Sequence, residues 1–286
     1  GQASAANDLT ITSGSNSDKI AITGVLSAGN DLNILAGNQA HRITISGELN
    51  AGHNLFVQSG QNRDIINVSG IMTAGNDIEV SLGDGADKFA LTGGFNAGDR
   101  IRISGGADDD TILLEDATTF TGFADLLGGT ENDTITVVRL LSQDRANDSL
   151  RIDGGAGSDN VFIQTHGSIS GIPTDYIIDA FDTGSPVQGA DTMVIHGTDE
   201  DDHFLSRANF VALLHGTDDQ IRGVTAEHPT TVERINYDHS INGRVTLLGY
   251  DGDDGFVSDD NAAIMTMDGG AGDDTLTGGE GNDWFV

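Results

Sequence analysis

No cysteine occurs in the 286 residues, so neither a disulfide framework nor a thiolate metal site is available to this chain. Proline is scarce at three residues and aromatics make up 5% of the chain, which excludes a proline-rich linker or collagen. No apolar run is long enough to cross a membrane as a helix, and no targeting peptide is recognisable. Positive charge is also sparse, with 13 Lys and Arg against 45 Asp and Glu and a net charge of −32. Such a field repels nucleic acid and anionic lipid, and it attracts divalent cations. These absences exclude nucleic acid as a partner and direct membrane insertion by this segment.

The deficit of positive charge is uneven. Residues 1–82 hold seven acids and three bases, while residues 83–286 hold 38 and ten. Glycine is the abundant residue, with 40 copies. Much of it recurs at a fixed interval of 23: Gly29, Gly52, Gly75 and Gly98 form one series, and Gly37, Gly60, Gly83, Gly106 and Gly129 another. Ile20, Ile43, Ile66, Phe89, Ile112 and Ile135 repeat with the same step. A constant period of this length is the signature of a solenoid, in which each unit completes its core only against its neighbours.

Within one unit, Leu32 and Ile34 flank Asn33, and Ile43 and Ile45 flank Thr44. This period-two alternation predicts short strands with their apolar members inward. Leu49, with its register mates Leu26, Met72 and Phe95, supplies a third inward station. The expected fold is therefore all-β, a parallel β-helix of roughly triangular coils. Residues 1–137 read as a regular solenoid and 138–267 as an irregular continuation with loop insertions at 166–175 and 183–189. The segment 221–230 is the weakest strand candidate, and 268–286 opens a different repeat. Both ends read as cuts through a longer chain, with neighbouring domains of the same chain as partners.

The chemistry sits at the corners. GGAGDDTLT (269–277) runs directly into GGEGNDWFV (278–286), two copies of the pattern G-G-x-G-x-D-x-U-x. Earlier coils carry related loops in GDGADKFAL with Asp87, GGADDDTIL with Asp110, GGTENDTIT with Asp133 and GGAGSDNVF with Asp159. Asp87, Asp110 and Asp133 lie 23 apart and should stack, and stacked carboxylates repel unless a cation sits between them. Calcium, a hard ion that takes six to eight oxygens from carboxylates and carbonyls, suits such corners. The earlier equivalents are Asp18, His41 and Asp64, where His41 is expected to break the ladder, so that calcium is not expected in the first three coils.

The tandem nonapeptides resemble the hemolysin-type, or RTX, calcium-binding repeats of secreted bacterial proteins. That resemblance implies calcium held by Asp274 and Asp283 and by loop carbonyls such as those of Gly269, Ala271, Gly278 and Glu280. Segments 196–205, 231–260 and 266–276 are similar to recurring parts of very long bacterial surface proteins with such repeats. AGNDLNI and AGHNLFV resemble, more loosely, the rod repeats of filamentous hemagglutinin-like adhesins. The implied setting is extracellular, secreted or at the cell surface.

Acidic pairs such as Asp108/Asp110, Asp201/Asp202 and Asp253/Asp254 read better as turns or calcium loops than as acid/base partners, and no catalytic residue is assigned. The arginines read as dispersed, without the basic groove expected of an enzyme that neutralises an acidic sugar. The expectation is a calcium-stabilised structural or adhesive rod, with calcium as cofactor and cell-surface polysaccharide as a further partner. A polysaccharide-active β-helix enzyme and a glycan-binding module are the alternatives.

Overall fold

The computed structural model describes residues 1–115, 119–140, 149–168, 174–184, 189–216, 231–259, 264–279 and 283–286. The insertion segments 169–173 and 185–188, the segment 221–230 and Glu280 lie outside these described residues. The chain winds as a parallel β-solenoid, and in the first coils three strands make one turn. Val25–Ala28, Leu32–Leu35 and Arg42–Ile45 are followed by Glu48–Ala51, Leu55–Gln58 and Ile65–Val68 in the same order. Each strand pairs in parallel with its counterpart 23 residues on, as in Leu26↔Leu49, Leu32↔Leu55 and Ile43↔Ile66.

The alternation in the sequence has its physical counterpart in burial. Leu32, Ile34, Ile43, Ile45 and Leu49 are fully enclosed, whereas Asn33 and Thr44 point outward. The core is a column of such stations, closed in each coil by the coils above and below. At Gly94–Ala107 two of the three sides merge into one fourteen-residue strand, and Thr119–Thr130 repeats the arrangement.

Glycine columns mark places where successive coils approach too closely for a side chain. A Cβ on Gly70 would stand 1.8 Å from the carbonyl oxygen of Gly47, and one on Gly93 would stand 1.9 Å from that of Gly70. The repeat of glycine is thus a repeat of backbone contact, not a repeat of flexibility.

The period lengthens after Asp133. Thr134 pairs with Asn160, Asn160 with Thr192, and Thr192 with Arg244. The last step is long because the chain leaves the winding. His203–Arg207 and Phe210–Leu214 form an antiparallel hairpin, and Val232–Tyr237 returns antiparallel to the second of these while pairing in parallel with Tyr176–Phe181. This antiparallel pairing departs from the parallel continuation expected over 138–267.

A buried polar cluster ties the return strand to the stack. Glu233, fully enclosed, accepts the Tyr176 hydroxyl at 2.6 Å and the His166 N–H at 2.9 Å. His215 Nε2 lies 3.0 Å from its other oxygen, though not aligned for a hydrogen bond. Burial and the adjacent carboxylate push the Tyr176 hydroxyl pKa up, so it remains a donor.

Beyond the hairpin the coil shortens. Val245 pairs with Met265, and Met265 with Asp283, so the final step is 18 residues, two nonapeptides. This turn has two strands, with Thr275–Thr277 on Gly255–Ser258 and Asp283–Phe285 on Met265–Ala271.

A coil contact without room for a methyl group gives a direct test. Gly70→Ala should lower unfolding stability by on the order of 3 kcal/mol, because the Gly47 carbonyl must move. Ile71→Thr, at a residue 46% exposed, should change stability by less than about 0.5 kcal/mol. Urea denaturation of the two variants checks the contrast.

Candidate functional site: a buried aspartate ladder

One residue before each of five successive strands of the third side, those beginning at Ile65, Lys88, Thr111, Thr134 and Asn160, stands an aspartate turned inward. Asp64, Asp87, Asp110, Asp133 and Asp159 are between 1% and 3% exposed. Their carboxylates are held by the main chain of the preceding coil. The Asp64 N–H donates to Asp87 Oδ1 at 2.6 Å, Asp87 to Asp110 at 2.8 Å, Asp110 to Asp133 at 2.8 Å and Asp133 to Asp159 at 2.7 Å. The line continues through Asp191 Oδ1 and ends on the side-chain oxygen of Asn242. It satisfies at each corner a buried amide that has no place in the sheet ladder.

His41 interrupts the row of carboxylates, yet the hydrogen-bonded line runs on through its imidazole. Its Nδ1 accepts the Asp18 N–H at 3.2 Å, and its own N–H donates to Asp64 Oδ1 at 2.5 Å. An imidazole nitrogen with a free lone pair does there what a carboxylate oxygen does elsewhere.

A second line serves the late coils. Ser168 donates to Asp202 Oδ1 at 2.8 Å, Asp202 to Asp254 at 2.7 Å and Asp254 to Asp274 at 2.9 Å. Asp274 therefore belongs to the same kind of ladder as the earlier aspartates. Asp283 does not stack on it: it lies on the opposite strand column, where its Oδ2 accepts the Gly279 N–H at 3.0 Å. Of the other expected ligands, Gly269 is buried between Asp254 and Asp274, and the Ala271 carbonyl accepts the Gly252 N–H at 3.0 Å. Gly278 adjoins Asp283, and Glu280 is outside the described residues.

Asp191, Asp202 and Asp254 were not assigned as site residues from the sequence. The signal was present: Asp, one residue, then an inward apolar residue, as in Asp191-Thr192-Met193 and Asp254-Gly255-Phe256. The acidic pairs each divide between inside and outside. Asp202 and Asp254 are buried in the ladder, while Asp201 and Asp253 sit at the surface, where Asp201 Oδ1 accepts the Asp253 N–H.

The second carboxylate oxygen is the chemically open part. Oδ2 of Asp87, Asp110, Asp133, Asp159 and Asp254 is buried without a hydrogen-bond partner. At Asp110, Asp133 and Asp254 a carbonyl of the following coil lies beside it. Asp110 Oδ2 and the Gly128 oxygen both fall 2.4 Å from where a Cβ on Gly105 would stand, and Asp254 Oδ2 and the Gly269 oxygen share the equivalent space at Gly249. Glycine is required there because carboxylate and carbonyl already fill the Cβ position.

Two acceptors facing one another without a donor call for a proton or a cation between them. Burial drives the pKa of Asp133 up to about 8, of Asp87 to about 8, of Asp110 to about 7 and of Asp254 to about 7, with neighbouring aspartates adding to the shift. Asp64, Asp159 and Asp202 are raised for the same first cause, burial.

The donors fit calcium in kind, being hard carboxylate and carbonyl oxygens. Among the described residues no three His, Asp or Glu side chains converge into a metal cage, so carbonyls would have to supply much of any coordination shell.

The fold also brings arginines together that are dispersed in the sequence. Arg100, Arg102, Arg151 and Arg234 share the outer face of one sheet. There Glu79, Arg102, Asp125, Arg151 and Asp179 occupy successive register positions. Arg100 pairs with Asp125, and Arg151 with Asp153 at 2.8 Å. The row alternates in sign, so it is a charge-balanced strip, not the basic groove sought in the sequence.

The raised pKa values fix a sign. Folded aspartates hold protons that the unfolded chain, with carboxylates near 3.8, has released. In EDTA, stability should therefore fall as pH rises from about 4 to about 8 and level off above. Asp133→Asn keeps an acceptor for the Asp110 N–H and removes the charge. It should flatten this slope and gain on the order of 1 kcal/mol at pH 8 in EDTA, read from thermal melts across pH.

Comparison with protein families, with curated proteins and with solved structures returns no match for this chain, so its parallel β-solenoid is established by its own strand register.

Proposed function

We propose that this chain is a calcium-stabilised structural or adhesive rod segment that works outside the cell, of the hemolysin-type repeat class. The observation that carries this reading is the file of partnerless buried Oδ2 atoms on four consecutive coils, Asp87, Asp110, Asp133 and Asp159. An 18-residue final turn built from two nonapeptides and a net charge of −32 support it.

Calcium would supply positive charge and carbonyl-tolerant coordination at the corners. The chain's own residues do the rest. The aspartates bond their Oδ1 to the preceding coil, and Asp110 and Asp133 hold Oδ2 beside the glycine carbonyl of the next. Cation binding at such a corner displaces the proton that otherwise occupies it, so affinity rises with pH. A ligand that binds only the folded rod stabilises it by mass action, by about 2.7 kcal/mol per site at a hundred times its Kd. Entry into calcium-rich surroundings would then complete folding and stiffen the rod between neighbouring domains or against cell-surface polysaccharide.

Calcium should raise the melting temperature at pH 8, and the increment should shrink toward pH 6. Asp133→Asn, stabilising in EDTA, should become destabilising relative to the parent once calcium is saturating. A melt at pH 8 that is indifferent to both EDTA and calcium would sink the proposal.

A further inference from the structure

A cleft of about 470 Å³ opens on the outer side of the late coils, lined by Arg139, Gln164, His166, Thr198, Asp199 and Tyr250, and it borders the second ladder where the Thr198 N–H donates to Asp202 Oδ2 at 2.6 Å. Two of these residues have a backbone that ordinary side chains avoid. Tyr250 has φ +85° and Arg139 has φ +44°. The following coil places Gly270, at φ +93°, in register with Tyr250. A large aromatic thus occupies a corner where the neighbouring coil uses glycine, and strain of this kind gathers at binding sites, where the side chain is worth its conformational cost.

The tyrosine is held as a platform. Its ring stacks on His196 with centroids 5.9 Å apart and planes 17° apart, and Phe162 lies behind His196 at 6.3 Å. The Tyr250 hydroxyl stands 2.5 Å from His196 Nδ1. Burial lowers the His196 pKa and raises that of Tyr250, so a neutral phenol donates to a neutral imidazole. The residue remains 42% exposed. The opposite wall is equally fixed: the Arg139 N–H donates to the Gln164 carbonyl at 2.8 Å, and His166 Nε2 contacts the Arg139 carbonyl at 2.9 Å.

We propose that this cleft binds a sugar ring of a neutral oligosaccharide, stacked on Tyr250 and hydrogen-bonded at its rim. An immobilised aromatic face beside an amide, a hydroxyl and a carboxylate matches the two faces of a pyranose, apolar C–H on one side and hydroxyls around the edge. The cleft combines a cation, Arg139, with an anion, Asp199, inside a strongly acidic chain, so an anionic sugar is repelled and an uncharged one is not. The volume takes a short sugar unit.

The test is calorimetric titration of the intact chain with maltohexaose, cellohexaose, laminarihexaose and chitohexaose, with an oligogalacturonate as the anionic counterpart. At least one neutral hexasaccharide should bind saturably. Tyr250→Gly should weaken it at least about tenfold without lowering the melting temperature, since glycine accepts this φ. Tyr250→Phe should retain most of the affinity, and Asp199→Ala, at an exposed rim position, should weaken it several-fold. The proposal is overturned if no neutral sugar saturates, if the oligogalacturonate alone binds, or if Tyr250→Gly binds as well as the parent.

Discussion

The hydrogen bond from a buried corner amide to the carboxylate of the next coil is the constraint on which the rest of this solenoid depends. Apolar stations fill the interior, but they specify only that coils stack. The Asp Oδ1 bond fixes where each coil stops turning and its strand begins, because the aspartate stands one residue before that strand. It also commits the second oxygen to a dry space shared with a glycine carbonyl. Glycine at Gly105 and Gly128, the raised carboxylate pKa values and the demand for a proton or a cation all follow from that placement.

Much of the fold was legible because the sequence obeys one interval. The step of 23 places Ile43 on Ile66 and Asp87 beneath Asp110, and period-two alternation places Asn33 outside. The reading weakened where the interval changed. Asp191 lies 32 residues from Asp159, and Asp254 lies 52 from Asp202, so counting could not join them although their local pattern is the same. The hairpin of His203–Arg207 and Phe210–Leu214 was hidden for a different reason. Alternating side chains report which face of a strand is buried and say nothing of whether its neighbour runs parallel or antiparallel. At His41 the line passes through an imidazole, because the corner amide needs only a lone pair.

The same backbone grid explains how scattered residues become surfaces. Residues separated by one coil in sequence become neighbours on one row, so Arg102 and Arg151 interleave with Asp125 and Asp179. Insertions add chemistry without disturbing that grid, provided that they return to register. Val232–Tyr237 does so by pairing with Tyr176–Phe181, with the Glu233 carboxylate gathering the Tyr176 hydroxyl and His166 amide at the seam. Tyr250 shows the complementary case, in which a corner position is given to a side chain that the corner itself does not favour.

The buried ladder also has a direction. Each aspartate amide points to the carboxylate of the coil that follows it in sequence, never to the one before. Bonds at exposed corners run the other way, as from the Asn132 N–H to Asp109 Oδ1, but water can replace them. A coil that docks onto an already folded C-terminal neighbour finds its acceptor waiting. One that docks onto an N-terminal neighbour must bury its own carboxylate first and leave its amide dry until another coil arrives. The two faces of a coil are therefore chemically unlike at this corner, one presenting a buried amide and the other a carboxylate.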